Sequence, residues 1–215
     1  GRSIPYTELP RLLAAGWNAL WWGAASLALV LTVVLWRVVP PDPARGAVPT
    51  AMRALAGATL RAPGAWWLAA CFGLYAGQWM VVFSFLPTIY QQASLPPATA
   101  AGLTALGVLV NLGGNVAAGL LLQRGVRRAV LVAAASVVMG VGAWVAFGST
   151  AGFAVRYAAL LALSLVGGLI PGTLFATAPR FAPHAGAVST TTGLMQQGSS
   201  IGQVVAPPLV AAAAA

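Results

Sequence analysis

Residues 111–128 read Asn-Leu-Gly-Gly-Asn-Val-Ala-Ala-Gly-Leu-Leu-Leu-Gln-Arg-Gly-Val-Arg-Arg. They close an apolar, Gly-rich run that begins at Ala98, and a second apolar run opens at Ala129. Three arginines are thus confined to a tight turn between two uncharged flanks. A soluble domain does not need that arrangement, but a membrane hairpin does. A helix crosses, a short basic loop stays on the cytoplasmic side, and a helix returns.

The composition agrees with a fold set by lipid. Of 215 residues, 60% are hydrophobic and only 6% are charged, against roughly 25% in soluble domains. So few charges cannot cover a water-exposed surface. The net charge is +9, every basic residue is Arg, and Glu8 and Asp42 are the only acids. Nucleic-acid binding needs a clustered positive face. Here the arginines fall mostly between apolar runs, so no nucleic-acid partner is expected. The single cysteine, Cys71, excludes an internal disulfide and a cysteine metal cluster. The expected class is an all-α polytopic membrane protein with the lipid bilayer as its main partner. The chain opens at Gly1 without a targeting signal and stops inside an apolar run, which reads as part of a longer protein.

Six spans follow from apolar runs of about 20 residues or more. The first covers 12–39, with Trp17, Trp21 and Trp22 toward one end and Trp36 at the other. Tryptophans at both ends suit the two interfacial belts, and Pro40, Pro41 and Pro43 stop the helix. Segment 41–65 is the longest polar stretch, with Arg45, Arg53 and Arg61. Within it, Thr50–Leu60 is either a surface amphipathic helix or a plain linker. The later spans are expected at 66–90, 98–122, 129–147, 153–178 and 185–215, with short loops that make sequential helices antiparallel neighbours. Loops 41–65, 123–128 and 179–184 are basic, whereas 91–97 and 148–152 are uncharged. The basic loops are therefore placed in the cytoplasm.

Polar groups inside the spans carry the functional signal. Tyr75 and Gln78 are three apart on the second span, and Asn111 and Asn115 four apart on the third. Gln196, Gln197, Ser200 and Gln203 lie along the sixth. Such groups avoid hydrocarbon, so they either bond neighbouring helices or line a solute path. Arg156, a turn inside the fifth span, either snorkels to the headgroups or attracts an anionic solute. Close-spaced glycines allow backbones to approach. Pro171, between Gly168 and Gly172, is expected to bend the fifth span, and Pro207 and Pro208 to bend or interrupt the sixth. There is no paired carboxylate, His184 stands alone in a loop, and no nucleophile and base share a helical spacing. The reading is a non-enzyme, with neither metal nor cofactor.

The turn Gly119-Leu-Leu-Leu-Gln-Arg-Gly-Val-Arg-Arg128 resembles the GxLxDRxGRR loop motif of the major facilitator superfamily. Gly119, Leu121, Arg124, Arg127 and Arg128 match, whereas Gln123 replaces the motif's Asp and Val126 its Gly. Those departures suit the degenerate second-half copy. The layout also resembles this family's bundle of two six-helix halves. By that resemblance, 1–40 ends the first half with its sixth helix, 41–65 joins the halves, and 66–215 is most of the second half, truncated. GGLIPGTLFATAPRF and GLMQQGSSIGQVVAPP resemble bacterial members grouped with cyanate and nitroimidazole transport proteins.

The resemblance implies secondary active transport of a small organic or anionic solute by alternating access, in a monomer of the bacterial inner membrane. Tyr75 and Gln78 become the leading solute contacts, followed by Asn111 and Gln197. The loop residues, Gln123 and the arginines included, act in gating and orientation. Any proton coupling falls to the missing half. A non-transporting channel or scaffold is the alternative.

Overall fold

The computed structural model describes residues 9–40 and 49–214, with side chains over 18–40 and 52–213. Glu8, Asp42, Arg45 and the prolines at 41 and 43 lie outside the described residues, as do the side chains of Arg11 and Trp17. The described residues are overwhelmingly helical and fall into two units, residues 1–47 and 48–215.

Among the described residues, the first unit contains one helix, α1, Leu9–Val38. Its stretch Asn18–Val38 is long and apolar enough to cross a membrane. Its described side chains are exposed, Trp21, Trp22 and Trp36 included. Such a helix satisfies its own backbone, and hydrocarbon accepts its side chains, so it needs no packed face in order to form.

The second unit contains α2 (Pro49–Arg61), α3 (Pro63–Gln92), α4 (Pro97–Gln123), α5 (Arg128–Ala143), α6 (Phe153–Gly167), α7 (Leu169–Phe181) and α8 (Val188–Ala214). Helices α3 and α4 start at prolines, where the missing N–H would have had no partner anyway. The chain between 49 and 61 is a helix, not a plain linker. Thr59 is buried, and the Trp66 indole N–H donates to the Leu60 carbonyl at 2.8 Å, so the turn from α2 into α3 is pinned.

The basic turn closes α4 in a defined way. Gly125 has φ +81°, its N–H donates to the Leu122 carbonyl, and the Val126 N–H donates to the Leu121 carbonyl. This pair of bonds is the Schellman closure, which needs a left-handed residue one past the cap and favours an apolar residue after it. Gly125 and Val126 fill those two places.

α5 ends in a π turn, Trp144–Gly148, two of whose carbonyls are taken by side chains. Ser149 Oγ donates to Val145 O and Arg156 Nε to Ala146 O, both at 2.6 Å. The fifth span is two helices, α6 and α7, meeting at Gly168. Pro171 has no N–H for the Gly167 carbonyl four residues back, and its ring crowds that carbonyl. α8 runs without interruption through Pro207 and Pro208. It is less apolar than the candidate spans Pro63–Gln92, Pro97–Gln123, Arg128–Gly148 and Phe153–Phe181. It nonetheless lies along α3 over comparable depth.

The closest packing is not between sequential neighbours. It is between parallel helices joined at glycines. On α3 and α8, Gly73 meets Gly198 and Gly77 meets Gly202. On α4 and α6–α7, Gly114 meets Leu165 and Gly168, while Gly172 meets Asn115 and Ala118. Lipid is as apolar as leucine, so burial alone does not draw helices together. Close backbone approach and interhelical hydrogen bonds decide the pairs. Between the two seams lies a core containing Leu86, Met139, Leu160, Leu163 and Met195, all fully buried.

Candidate functional site

Asn111 sits near the middle of α4. Its Nδ2 donates to the Tyr75 hydroxyl at 3.2 Å and to the Ser164 carbonyl at 2.8 Å. Its side-chain oxygen accepts from Asn115 Nδ2 at 3.2 Å, and the same Nδ2 donates to the Asn111 carbonyl at 3.1 Å. One side chain therefore joins α3, α4 and α6. The buried Ser164 hydroxyl adds a second tie between α6 and α4 by donating to the Gly107 carbonyl at 2.6 Å. The Ser164 carbonyl also accepts the Gly168 N–H, so the end of α6 and the polar cluster share one acceptor. The helix break belongs to the same locality as the cluster.

Tyr75, Asn111 and Asn115 open onto a cavity of about 310 Å³. Phe72 and Pro171 form apolar wall, with the Phe72 ring stacked on Tyr75 at 6.1 Å. From α8 come Ser199 and Gln203, with Gln203 Nε2 donating to Ser199 Oγ at 3.1 Å. Trp79 completes the wall, with its ring 4.2 Å from Phe83. The Trp79 indole N–H is buried and has no protein acceptor. A cavity with hydroxyl, amide and indole groups set in apolar walls can orient a small polar solute, with Trp79 supplying an unused donor. Among the described residues, no three His, Cys, Asp or Glu side chains come together.

The structure brings together some of the sequence-identified residues and separates others. Tyr75, Asn111 and Asn115 meet. Gln78 lines a separate apolar cavity with Val82, Phe85 and Val210. Gln78 and Trp79 are one residue apart, about 100° around α3, so they fall on opposite sides of Tyr75, and only Trp79 falls on the side of the cluster. Gln196, Gln197 and Ser200 are exposed, and Ser200 Oγ donates back to the Gln196 carbonyl at 3.0 Å. Ser199, Trp79 and Pro171 are the wall residues that spacing from polar side chains alone does not select.

Arg156 lies away from this cluster. Its Nη1 donates to Gln92 Oε1 at 2.8 Å and its Nε to the Ala146 carbonyl, so it clasps the ends of α3 and α5 to the start of α6. Arg156→Met is expected to lower the melting temperature through the loss of about 1–2 kcal/mol of hydrogen bonding. Uptake per folded molecule should change little. A loss of uptake confined to anionic solutes would instead put the guanidinium on the solute path.

Gln123, Arg124, Arg127 and Arg128 are exposed at the opposite end, as is Gly119, while Leu121 is half-buried. Arg53, Arg61 and Arg180 share that end, where α3, α5 and α8 begin.

Membrane-length helices joined by glycine seams, with Tyr75, Asn111 and Asn115 gathered beside a cavity, define a polytopic helical bundle. Residues 10–207 match the family described as Major Facilitator Superfamily, and the chain belongs to that family. Its members are transporters, not enzymes, and the function the family indicates is membrane transport of a solute. No curated protein and no solved structure matches the chain.

Proposed function

We propose that this chain forms part of a secondary active transporter that moves a small polar solute by alternating access. The cavity among Tyr75, Trp79, Asn111, Asn115 and Gln203 is the second half's share of the solute path. The observation that carries this reading is the Asn111 cluster. It is a continuous set of polar groups at the middle of apolar helices, opening onto a cavity that holds an unused indole donor. Helix packing alone requires partners for such groups, but not a cavity beside them.

In this reading α1 is the last helix of the first half and 41–65 the connection between halves, with α2 docked on the second half. The break at Gly168 and the glycine seams let α7 and α8 shift against α4 and α3. Loops 41–65, 123–128 and 179–184 face the cytoplasm of a bacterial inner membrane. The support is the arginine distribution of the second unit, with Arg156 alone at one end and the other six at the opposite end. The protein acts as a monomer, and any proton-coupling carboxylate belongs to the first half. The motifs GGLIPG and GLMQQGSS favour relatives that carry small compact solutes of the cyanate or nitroimidazole kind.

The test is uptake by the full-length protein in proteoliposomes across neutral, anionic and cationic solutes, with and without a proton gradient. Saturable uptake of at least one solute, with counterflow when that solute is loaded inside, is expected. Non-saturable flux would assign a channel, and binding without flux a scaffold.

A further inference from the structure

A second cavity lies in the same unit, at the basic end and away from the Asn111 cluster. It is a groove of about 380 Å³ between α3, α5 and α7. Trp67, Cys71, Val132 and Leu174 give it apolar walls, and Arg128 and Arg180 stand at its mouth. Both arginines are exposed, and neither makes an ion pair among the described residues, which contain no Asp or Glu. Thr173 also lines the groove, two turns inward from Arg180 along α7, a depth of roughly 10 Å. It is 1% exposed, yet its hydroxyl has no hydrogen-bond partner. The neighbouring Thr177 hydroxyl donates to the Thr173 carbonyl at 2.6 Å and is not a partner of the Thr173 hydroxyl.

A buried hydroxyl without an acceptor is costly and calls for a ligand oxygen. Two cations with no acid beside them among the described residues call for an anion. The walls between them call for hydrocarbon. The geometry points to a built site for one anionic phospholipid. Its phosphate lies between Arg128 and Arg180, an ester carbonyl accepts from Thr173 Oγ1, and an acyl chain lies against Trp67, Cys71 and Leu174. Charge complementarity selects this occupant over a zwitterionic lipid, because the phosphatidylcholine ammonium would bring a third positive charge to the mouth. Basic pockets between helices at the cytoplasmic face hold anionic headgroups by this combination of charge and apolar contact.

The experiment is native mass spectrometry of the delipidated full chain titrated with phosphatidylglycerol or phosphatidylcholine, with melting temperatures measured alongside. Wild type is expected to retain phosphatidylglycerol preferentially, and each of Arg128→Gln and Arg180→Gln to weaken that retention about fivefold. Arg53→Gln with Arg61→Gln, which removes twice the charge of either single variant from α2 outside the groove, should leave the preference intact. Thr173→Val keeps the side-chain volume and should reduce lipid retention without lowering the lipid-free melting temperature. Equal retention of the two lipids would overturn the site. So would an equal loss from the α2 pair, which would assign the effect to diffuse surface charge, or stabilisation by inorganic phosphate equal to that by the lipid, which would assign the arginines to a free anion.

Discussion

Asn111→Leu is expected to reduce uptake per folded molecule by about tenfold or more, a change of ~1.4 kcal/mol or greater in the free energy of the transport step. Leucine fills nearly the same space, so the change is one of polarity. The Asn111 amide serves Tyr75 and the Ser164 carbonyl, and its oxygen serves Asn115. Without it, the Tyr75 hydroxyl loses its donor and Asn115 loses one acceptor, while the Ser164 carbonyl keeps only the Gly168 N–H. Leaving a buried polar group unpaired costs about 1–3 kcal/mol, so the melting temperature should fall as well. Folded yield by size-exclusion chromatography separates the two effects. Tyr75→Phe removes one arm of the same network. The double variant should therefore fall short of the sum of the single effects, since groups in one hydrogen-bonded set couple by about 0.5–3 kcal/mol. A lowered melting temperature with full uptake per folded molecule would make Asn111 a packing residue.

How far the sequence shows this site depends on what kind of signal each residue carries. Length and apolarity made the crossings visible, because hydrocarbon thickness imposes both. The asparagines at 111 and 115 were visible because a polar side chain at mid-span must find a partner. Which partner it finds is a matter of helix pairing, and that was not legible. Gln78 is as conspicuous as Tyr75, but it lies on the side of Tyr75 opposite to Trp79 and lines another cavity. Trp79 was inconspicuous because tryptophan reads as interfacial or apolar, and only the structure shows its N–H buried without an acceptor. Arg156 read equally well as a snorkelling cation or a solute contact. Its bonds to Ala146 and Gln92 need the end of α5 and the end of α3 to be brought beside it. The prolines divided in the same way. Pro171 falls beside glycines and a helix break, whereas Pro207 and Pro208 sit inside a continuous helix.

Gly114→Ala is expected to be the most damaging single methyl added to this protein, costing about 3 kcal/mol or more of stability. A Cβ at 114 would overlap the Leu165 carbonyl oxygen and lie 2.9 Å from the Gly168 Cα. Both obstacles are backbone, so no side-chain rotation relieves them. The seam must open, and that seam also carries the hydrogen bonds from Asn111 and from Ser164. The nature of the obstacle predicts an order of effects. Gly168→Ala meets the Asn111 carbonyl and Gly202→Ala the Gly73 carbonyl, so both belong in the severe class. Gly167→Ala meets Met139 Sδ at 3.1 Å, the end of a flexible side chain, and should be mild. Gly102→Ala and Gly140→Ala meet nothing within 4 Å and should be neutral or stabilising by up to ~1 kcal/mol, since alanine is the better helix former. Thermal melts of this series in one detergent give the ranking. If all substitutions on the seams cost no more than Gly102→Ala, helix pairing does not rest on backbone contact at these glycines. If the ranking holds, variants of the α3–α8 seam can be compared with those of the α4–α6–α7 seam for uptake at matched stability. That comparison separates the seam that only holds the bundle together from the one whose opening accompanies transport. The expectation is the α4–α6–α7 seam, because it carries the helix break at Gly168 and the interhelical hydrogen bonds from Asn111 and Ser164.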